Sequence, residues 1–269
     1  MDALREIDTW GARTAAAGVV RADAELGVHG PRDIVLRWAS ITKLLTGLAV
    51  LVAVEEGTVD LDEPAGPEGS TLRHLLSHAS GLPPDEGPPL MPPARRRIYS
   101  NRGIEVAASL VGERAAIPFD EYFRASVVEP LGLAGALHGS SAWGYRGPLD
   151  DLLALARELL APTLVAQETL DEATSVQFPG LAGVLPSFGR MDPNDWGLAF
   201  ELRDHKSPHW TSAHNSPRTF GHFGAAGTFL WVDPELGSAC GVLTDKEFGA
   251  WALEAWPRFN DSVVREQRS

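Results

Sequence analysis

The chain has 269 residues, of which 44% are hydrophobic and 22% charged, and its net charge at neutral pH is −13. These fractions are ordinary for a globular protein with a large core, and the negative charge argues against nucleic acid and anionic membrane surfaces as partners. The N-terminus lacks the basic-then-apolar pattern of a secretory signal, and no run of about 18 apolar residues suggests a membrane segment, so we expect a cytoplasmic protein. The single cysteine, Cys240, excludes an internal disulfide bond.

The first part of the chain is predicted to form a helix, two strands and a second helix. The patterns place the polar-faced first helix at 2–16 and the strands at 18–27 and 34–38. Ser40 then opens a run that stays apolar to Val54, with the serine as a natural N-cap and Gly57 as the stop signal. Because this run is apolar nearly all round, the helix is expected to be buried.

The centre of the chain is predicted to be helical and rich in loops, whereas its end returns to strands. Helical patterns occur at 70–78, 102–112, 119–127 and 150–160, and a proline-rich loop or lid occurs at 83–97. Strand patterns occur at 196–203, 219–224, 227–233 and 237–244, before a final helix at 248–266.

This order of elements predicts an α/β fold of the α+β type. Strands at both ends suggest one antiparallel sheet built from both termini and flanked by helices, with an inserted all-helical subdomain. We therefore expect a single domain over 1–269, with a sheet subdomain from 1–62 and 191–269 and a helical subdomain over 63–190.

Ser40 and Lys43 are the first candidate reactive pair. Residues three apart lie on the same face of a helix, so the two side chains are neighbours. A buried lysine loses hydration, which lowers its pKa and lets the amine exchange a proton with a nearby hydroxyl. The alternative is that Ser40 is only a cap and that Lys43 only extends to the surface.

Two further motifs could complete such a site. Tyr99-Ser100-Asn101 combines a phenol with an amide, although the asparagine also favours a simple turn. His222-Phe223-Gly224 lies in a strand pattern, where the glycine would let a substrate approach the backbone, although a glycine-rich hairpin explains it equally well.

The order Ser-x-x-Lys, Tyr-x-Asn, His-x-Gly resembles the serine β-lactamase and penicillin-binding-protein superfamily, in particular its class C branch with esterase and D-peptidase relatives. The stretches 75–83 and 228–234 resemble the phrases that link these motifs in that branch. The resemblance covers about 34–245 and implies a β-lactamase/transpeptidase-like fold.

The resemblance also implies roles for the first two motifs. Ser40 would be the nucleophile, and Lys43 would accept or relay its proton. Tyr99 would share the general-base role and protonate the leaving group, and nearby positive charge is expected to lower its pKa. Asn101 would hold the Lys43 amine and the substrate amide.

The third motif would bind the substrate. The backbone N–H groups of Ser40 and Ala225 would form the oxyanion hole, next to Gly224. His222 departs from the family pattern, because it stands where a lysine otherwise meets a substrate carboxylate. With an ordinary histidine pKa, His222 would attract carboxylates only in mild acid.

These residues predict a serine hydrolase that forms an acyl-enzyme at Ser40 on a small ester, amide or D-peptide. The alternatives are a true class C-type β-lactamase and a non-catalytic acyl-binding sensor or scaffold. No cofactor and no metal are expected, since His74 and His78 lack a third ligand at helical spacing. Arg95, Arg96 and Arg97 are expected on a solvated face, His205, His209 and His214 at the surface, and the oligomeric state stays open.

Overall fold

A six-stranded antiparallel sheet is built from the two ends of the chain. The structure is a computed structural model and describes residues 1–269. In the order in which they pair, the strands are β2 (Glu25–His29), β1 (Ala15–Val20), β11 (Ser238–Thr244), β10 (Thr228–Asp233), β9 (Phe220–Gly224) and β8 (Glu201–Leu202). The predicted antiparallel sheet from both termini is confirmed.

Seven α-helices surround this sheet. They are α1 (Thr42–Glu55), α2 (Leu72–Leu76), α3 (Asn101–Ala115), α4 (Phe119–Phe123), α5 (Leu149–Leu160), α6 (Gln167–Ala173) and α7 (Ala250–Arg268). Short 3-10 helices span Asp2–Thr9 and Ala39–Ile41, and α4 continues as a π-helix over Arg124–Val128. None of these helices combines the length and the apolar character that crossing a bilayer would require.

Both faces of the sheet are covered, which explains why its central strands are continuously apolar. Side chains alternate along a strand, so Phe229 and Trp231 of β10 pack with α7 and the N-terminal 3-10 helix on one face. Leu230 and Val232 pack on the other face, in the core that contains α1 and α5. Helix α1 is buried over almost its whole length, as its sequence predicts.

The segment 63–190, predicted to be all-helical, also contains short strands. Strand β5 (Tyr145–Gly147) pairs with β4 (Ala136–Leu137) and with β3 (Leu36–Arg37). A separate hairpin joins β6 (Gly183–Leu185) to β7 (Gly189–Met191). The pairing of β5 with β3 anchors the backbone just before Ser40, because Trp38 N–H also donates to the Tyr145 carbonyl at 3.1 Å. The division into two subdomains stays a prediction.

The predictions for the N-terminal region are wrong in detail. The helix expected at 2–16 ends at Thr9, since residues from Ala15 onward pair with β11 as strand β1. The single strand expected at 18–27 is a hairpin of β1 and β2, whose turn is closed by Arg21 N–H donating to the Ala24 carbonyl at 2.8 Å. Tertiary pairing therefore overrides local pattern here.

Most of the strand expected at 196–203 is irregular, and only Glu201–Leu202 pairs in the sheet. The backbone N–H of Leu198 donates to Ala173 at 2.8 Å, and that of Ala199 donates to Leu76 at 2.9 Å. The last residues of helices α6 and α2 thus accept from the N–H groups that a sheet ladder would otherwise use. The strand expected at 34–38 likewise shortens to Leu36–Arg37.

We predict that the buried carboxylate of Asp151 is a major determinant of stability. It accepts hydrogen bonds from Ala134 N–H at 2.9 Å, Gly135 N–H at 2.8 Å and the Tyr145 hydroxyl at 2.8 Å. Asp151→Ala leaves these three donors without an acceptor and should lower the free energy of unfolding by about 2–4 kcal/mol in urea titrations. Asp150→Ala, which removes an exposed pair with Arg32, should cost no more than about 1 kcal/mol. Equal losses would contradict the prediction.

Candidate active site

Ser40 lies in the 3-10 turn Ala39–Ile41 that precedes α1, and the prediction that it caps the helix is wrong. The residue before it, Ala39, has a φ of 48°, a left-handed conformation that is strained for alanine. No side chain caps α1. The Ser40 hydroxyl therefore accepts from no backbone N–H of α1, and its partners are the side chains of Lys43 and Tyr99.

Strand β9 packs directly against this turn. A Cβ atom at Gly224 would lie 2.4 Å from the Trp38 carbonyl oxygen and 3.1 Å from the Ala39 Cβ atom. Only glycine permits this approach. The residue predicted to make room for substrate thus makes room for the segment that carries Ser40.

Lys43 is completely buried and its amine contacts three oxygen atoms. Nζ lies 2.7 Å from Asn101 Oδ1, 2.9 Å from the Ala142 carbonyl and 3.3 Å from Ser40 Oγ. Burial lowers the pKa of Lys43 to about 7, as expected. A neutral amine that donates its two hydrogens to Asn101 and Ala142 directs its lone pair at Ser40 Oγ. Lys43 can therefore take the serine proton near neutral pH.

Tyr99 donates its hydroxyl hydrogen to Ser40 Oγ at 2.8 Å. The expectation that positive charge lowers its pKa is wrong, because burial raises the pKa of this phenol above its usual range. Nearby Asp85 acts in the same direction. Tyr99 is thus a neutral donor at physiological pH and not a phenolate base.

Asn101 contacts Lys43 through one end of its amide only. Its Oδ1 accepts from Lys43, whereas its Nδ2 donates to the Asp85 carboxylate at 3.1 Å. The nitrogen that was expected to hold a substrate amide therefore already has a protein partner, Asp85.

His222 is buried and neutral, so the expected charge switch in mild acid is wrong. Burial, followed by the neighbouring Lys43, lowers the pKa of His222 to about 3. Its Nδ1 lies 2.6 Å from the Phe223 carbonyl, which makes Nδ1 the protonated donor and leaves Nε2 as an acceptor 3.5 Å from the Tyr99 hydroxyl. A lysine at this position would add a charge that this histidine does not supply.

The backbone completes a site that could hold an oxyanion. The N–H groups of Ser40 and Ala225 have no acceptor among the hydrogen bonds of the protein. They belong to the two segments that meet at Gly224. The structure thus brings all seven predicted site residues together, which are Ser40, Lys43, Tyr99, Asn101, His222, Gly224 and Ala225.

Trp196 forms the floor of the site. Its ring centre lies 4.6 Å from that of His78, 5.6 Å from that of His222 and 5.8 Å from that of Tyr99. Trp196 is buried, and the sequence around it does not indicate which rings it contacts. His78 is buried with a strongly lowered pKa, and its Nδ1 accepts from the Ser100 N–H at 3.2 Å.

Three contributors to the site were missed by the sequence analysis. The Ala142 carbonyl binds Lys43, and Asp85 and Glu105 both raise the pKa of that amine. A backbone carbonyl has no side-chain signature. Glu105, one turn after Asn101 on α3, could have been found from its helical spacing.

Two predictions about charged side chains are also wrong. Arg97 is buried, and it donates to the carbonyls of Ser77 and Gln177, each at 2.7 Å, so it is structural. His209 is buried with its Nε2 3.0 Å from Glu201. Both residues belong to polar loop sequences that fold into the interior. There the Arg97 guanidinium and the His209 imidazole form hydrogen bonds with other protein groups.

An apolar cavity of about 470 Å³ opens beside Tyr99. It is bounded by the 83–97 loop and by the β6–β7 hairpin. Most of its lining is apolar, and Arg96 and Arg97 also border it; the apolar residues are Pro84, Leu90, Met91, Ile98, Val184 and Pro186. A cavity of this size and character can hold the apolar part of a small ester.

Comparisons with known proteins agree with this geometry. The family model described as Beta-lactamase matches residues 7–265. A crystal structure of a beta-lactamase from Mycobacterium bovis is 47% identical, with a TM-score of 0.97, and the alignment covers 98% of this chain and 99% of that chain. This similarity confirms the fold that the resemblance implies.

Two curated relatives match shorter parts of the chain. Esterase EstB from Burkholderia gladioli is 33% identical over 159 residues, which are 54% of this chain and 37% of the esterase. A beta-lactamase from Yersinia enterocolitica is 27% identical over 159 residues, which are 46% of this chain and 41% of that protein. The matched regions thus span less than half the length of either relative.

We predict that the reactivity of Ser40 rises with pH through a midpoint near 7. Only neutral Lys43 accepts the serine proton, and its pKa of about 7 means that the neutral fraction grows as pH increases. The measurement is the rate of Ser40 labelling by a fluorophosphonate between pH 5 and pH 9. A rate that is flat over this range, or that falls with pH, would exclude Lys43 as the base.

Proposed function

Because the chain belongs to the Beta-lactamase family, we propose that it is a serine hydrolase that forms an acyl-enzyme at Ser40. The observation that carries the proposal is the contact of Ser40 Oγ with Lys43 on one side and Tyr99 on the other. We propose a small, uncharged ester with an apolar part as substrate. The cavity beside Tyr99 supports the apolar part, and the neutral His222 supports the absence of charge.

In the acylation step, Lys43 Nζ removes the Ser40 proton while Oγ attacks the ester carbonyl carbon. The carbonyl oxygen takes the negative charge and binds the N–H groups of Ser40 and Ala225. The tetrahedral intermediate collapses by breaking the bond to the leaving oxygen, which receives the Tyr99 hydroxyl proton. The Lys43 ammonium, 4.8 Å from the centre of the Tyr99 ring, stabilises the phenolate and returns a proton to it.

Deacylation repeats these steps with water in place of the serine. The neutral Lys43 amine takes a proton from the water as its oxygen attacks the acyl carbon. The same two N–H groups bind the oxyanion. The bond from the acyl carbon to Ser40 Oγ then breaks as Oγ takes the Tyr99 hydroxyl proton, and the Lys43 ammonium returns a proton to Tyr99. The products are an alcohol and a carboxylic acid, and the enzyme needs no cofactor in this scheme.

A β-lactamase activity receives less support from the site. Penicillins carry a carboxylate, and the third motif offers a buried neutral histidine in place of a cation. Asp85 adds a negative charge beside Asn101. A non-catalytic scaffold is disfavoured because burying an amine is costly, and binding alone gives no reason to keep Lys43 against Ser40.

We predict that hydrolysis of ethyl butyrate, whose ethoxide leaving group must be protonated, depends on all three side chains. Ser40→Ala should abolish turnover and acyl-enzyme formation, and Lys43→Ala and Tyr99→Phe should each lower kcat/KM by about 10²-fold or more. Tyr122→Phe is the matched control, because it also removes a buried hydroxyl but one that contacts Glu56. Mass spectrometry should place the acyl group on Ser40, and an adduct on another residue would exclude the assignment.

We also predict that the preference for neutral over anionic esters is independent of pH between 6 and 8. Histidine with a pKa of about 3 stays neutral over this range, and both substrates need the same neutral form of Lys43. The measurement is the ratio of kcat/KM for p-nitrophenyl hexanoate and p-nitrophenyl hydrogen adipate. A ratio that moves toward the adipate ester in acid would show that His222 gains a proton there.

A further inference from the structure

The start of the 83–97 loop is fixed to the N-terminus of α3. The Pro84 carbonyl accepts from the N–H groups of Asn101 at 2.8 Å and Arg102 at 3.3 Å, and the Pro83 carbonyl accepts from the Ser100 hydroxyl at 2.6 Å. These bonds hold the backbone of Asp85, the next residue, against the active site. The position of its carboxylate is therefore defined by the fold.

Asp85 contacts one active-site residue and no cation. Its Oδ1 accepts from Asn101 Nδ2 at 3.1 Å, and it forms no salt bridge with any lysine, arginine or histidine. The Asp85 side chain is exposed, and the residue before it, Pro84, lines the cavity beside Tyr99. A negative charge without a partner thus lies between Asn101 and solvent.

We propose that Asp85 is a positioning and specificity-determining residue, which orients the Asn101 amide toward Lys43 and disfavours anionic substrates. The inference rests on the proposed hydrolase function and adds to it a residue from the loop. It assigns a substrate preference to a carboxylate outside the three motifs.

The orientation follows from hydrogen-bond chemistry. A carboxylate only accepts, so Asp85 must face the NH₂ end of the Asn101 amide. The opposite end, Oδ1, then faces Lys43 and accepts from it. The reversed amide would place Nδ2 against the amine hydrogens and Oδ1 against the carboxylate, which are two repulsive contacts. Asp85 therefore orients Asn101 so that one N–H of Lys43 donates to Asn101 Oδ1. The lone pair of the Lys43 amine then points toward Ser40 Oγ.

The selectivity follows from charge. The titratable groups around Lys43 are Glu105 on α3, Asp85 on the loop, Tyr99 before α3, His78 before the loop and His222 on β9. Glu105 is engaged by the Ser140 hydroxyl at 2.5 Å. Asp85 is the exposed member of the set, so its charge acts on an approaching substrate and opposes the attraction of a carboxylate to Arg96, which lines the cavity.

Two substitutions separate the two roles. In Asp85→Asn the side-chain carbonyl still accepts from Asn101, but the charge is gone; in Asp85→Ala both are lost. Glu86→Gln is the matched control, because it removes an adjacent exposed charge that contacts no site residue. All three changes lie on an exposed loop and should leave the fold intact.

The first measurement is the preference between p-nitrophenyl hydrogen adipate and p-nitrophenyl hexanoate. Asp85→Asn should raise kcat/KM for the adipate ester about threefold relative to the hexanoate ester, and high salt should reduce this difference. Asp85→Ala should show the same change in preference together with a loss of about tenfold in kcat, because Lys43 is less well oriented. A preference that matches wild type in both variants would overturn the selectivity role, and an unchanged kcat in Asp85→Ala would overturn the positioning role.

The second measurement does not depend on turnover. The chain contains only three lysines, Lys43, Lys206 and Lys246, so NMR of selectively labelled lysine follows the titration of each amine. Because Asp85 raises the pKa of Lys43, both Asp85 variants should move the Lys43 midpoint down by about half a pH unit, whereas Glu86→Gln should not. An unmoved midpoint would overturn the proposal. If wild type hydrolyses no ester but the midpoint moves, the hydrolase function fails and the electrostatic role of Asp85 stands.

Discussion

The buried amine of Lys43 is the constraint on which the rest of the structure depends. An amine removed from water needs an acceptor for each of its hydrogens, and an apolar helix such as α1 supplies none from its own side chains. The acceptors come from Asn101 and Ala142, which are 58 and 99 residues further along the chain. Three distant segments must therefore converge on one nitrogen, and this convergence places Lys43 against Ser40.

The electrostatics of the site follow from the same burial. Desolvation lowers the pKa values of Lys43 and His222 and raises that of Tyr99, so all three side chains are largely neutral just above pH 7. The neutral side chains of the site act as hydrogen-bond donors and acceptors. A proton can pass between them without changing the net charge of the site. The Asp85 carboxylate stands at its edge, where water screens it.

Patterns of hydrophobicity were sufficient to predict the central strands of the sheet, because strands such as Thr228–Asp233 are covered on both faces and must be apolar throughout. They were also sufficient for α1. The N-terminal helix was overestimated because residues from Ala15 onward find a partner strand more than 200 positions away. No local pattern contains that information.

Motif order was sufficient to assemble the candidate site, but it carried no information on the state of the side chains. The pKa values of Tyr99 and His222 depend on how deeply the tertiary structure buries them. An ordinary pKa was therefore the wrong expectation for His222, and a pKa lowered by positive charge was the wrong expectation for Tyr99. Asp85 was missed because its only link to the site is a hydrogen bond across 16 residues.

Gly224 brings strand β9 into direct contact with the turn that carries Ser40. The two N–H groups that would bind an oxyanion belong to backbone segments in direct contact, so their spacing does not depend on any loop that borders the cavity. A change in the 83–97 loop would therefore reshape the cavity and, through Asp85, adjust the orientation of Lys43, while the spacing of the two N–H groups stays fixed.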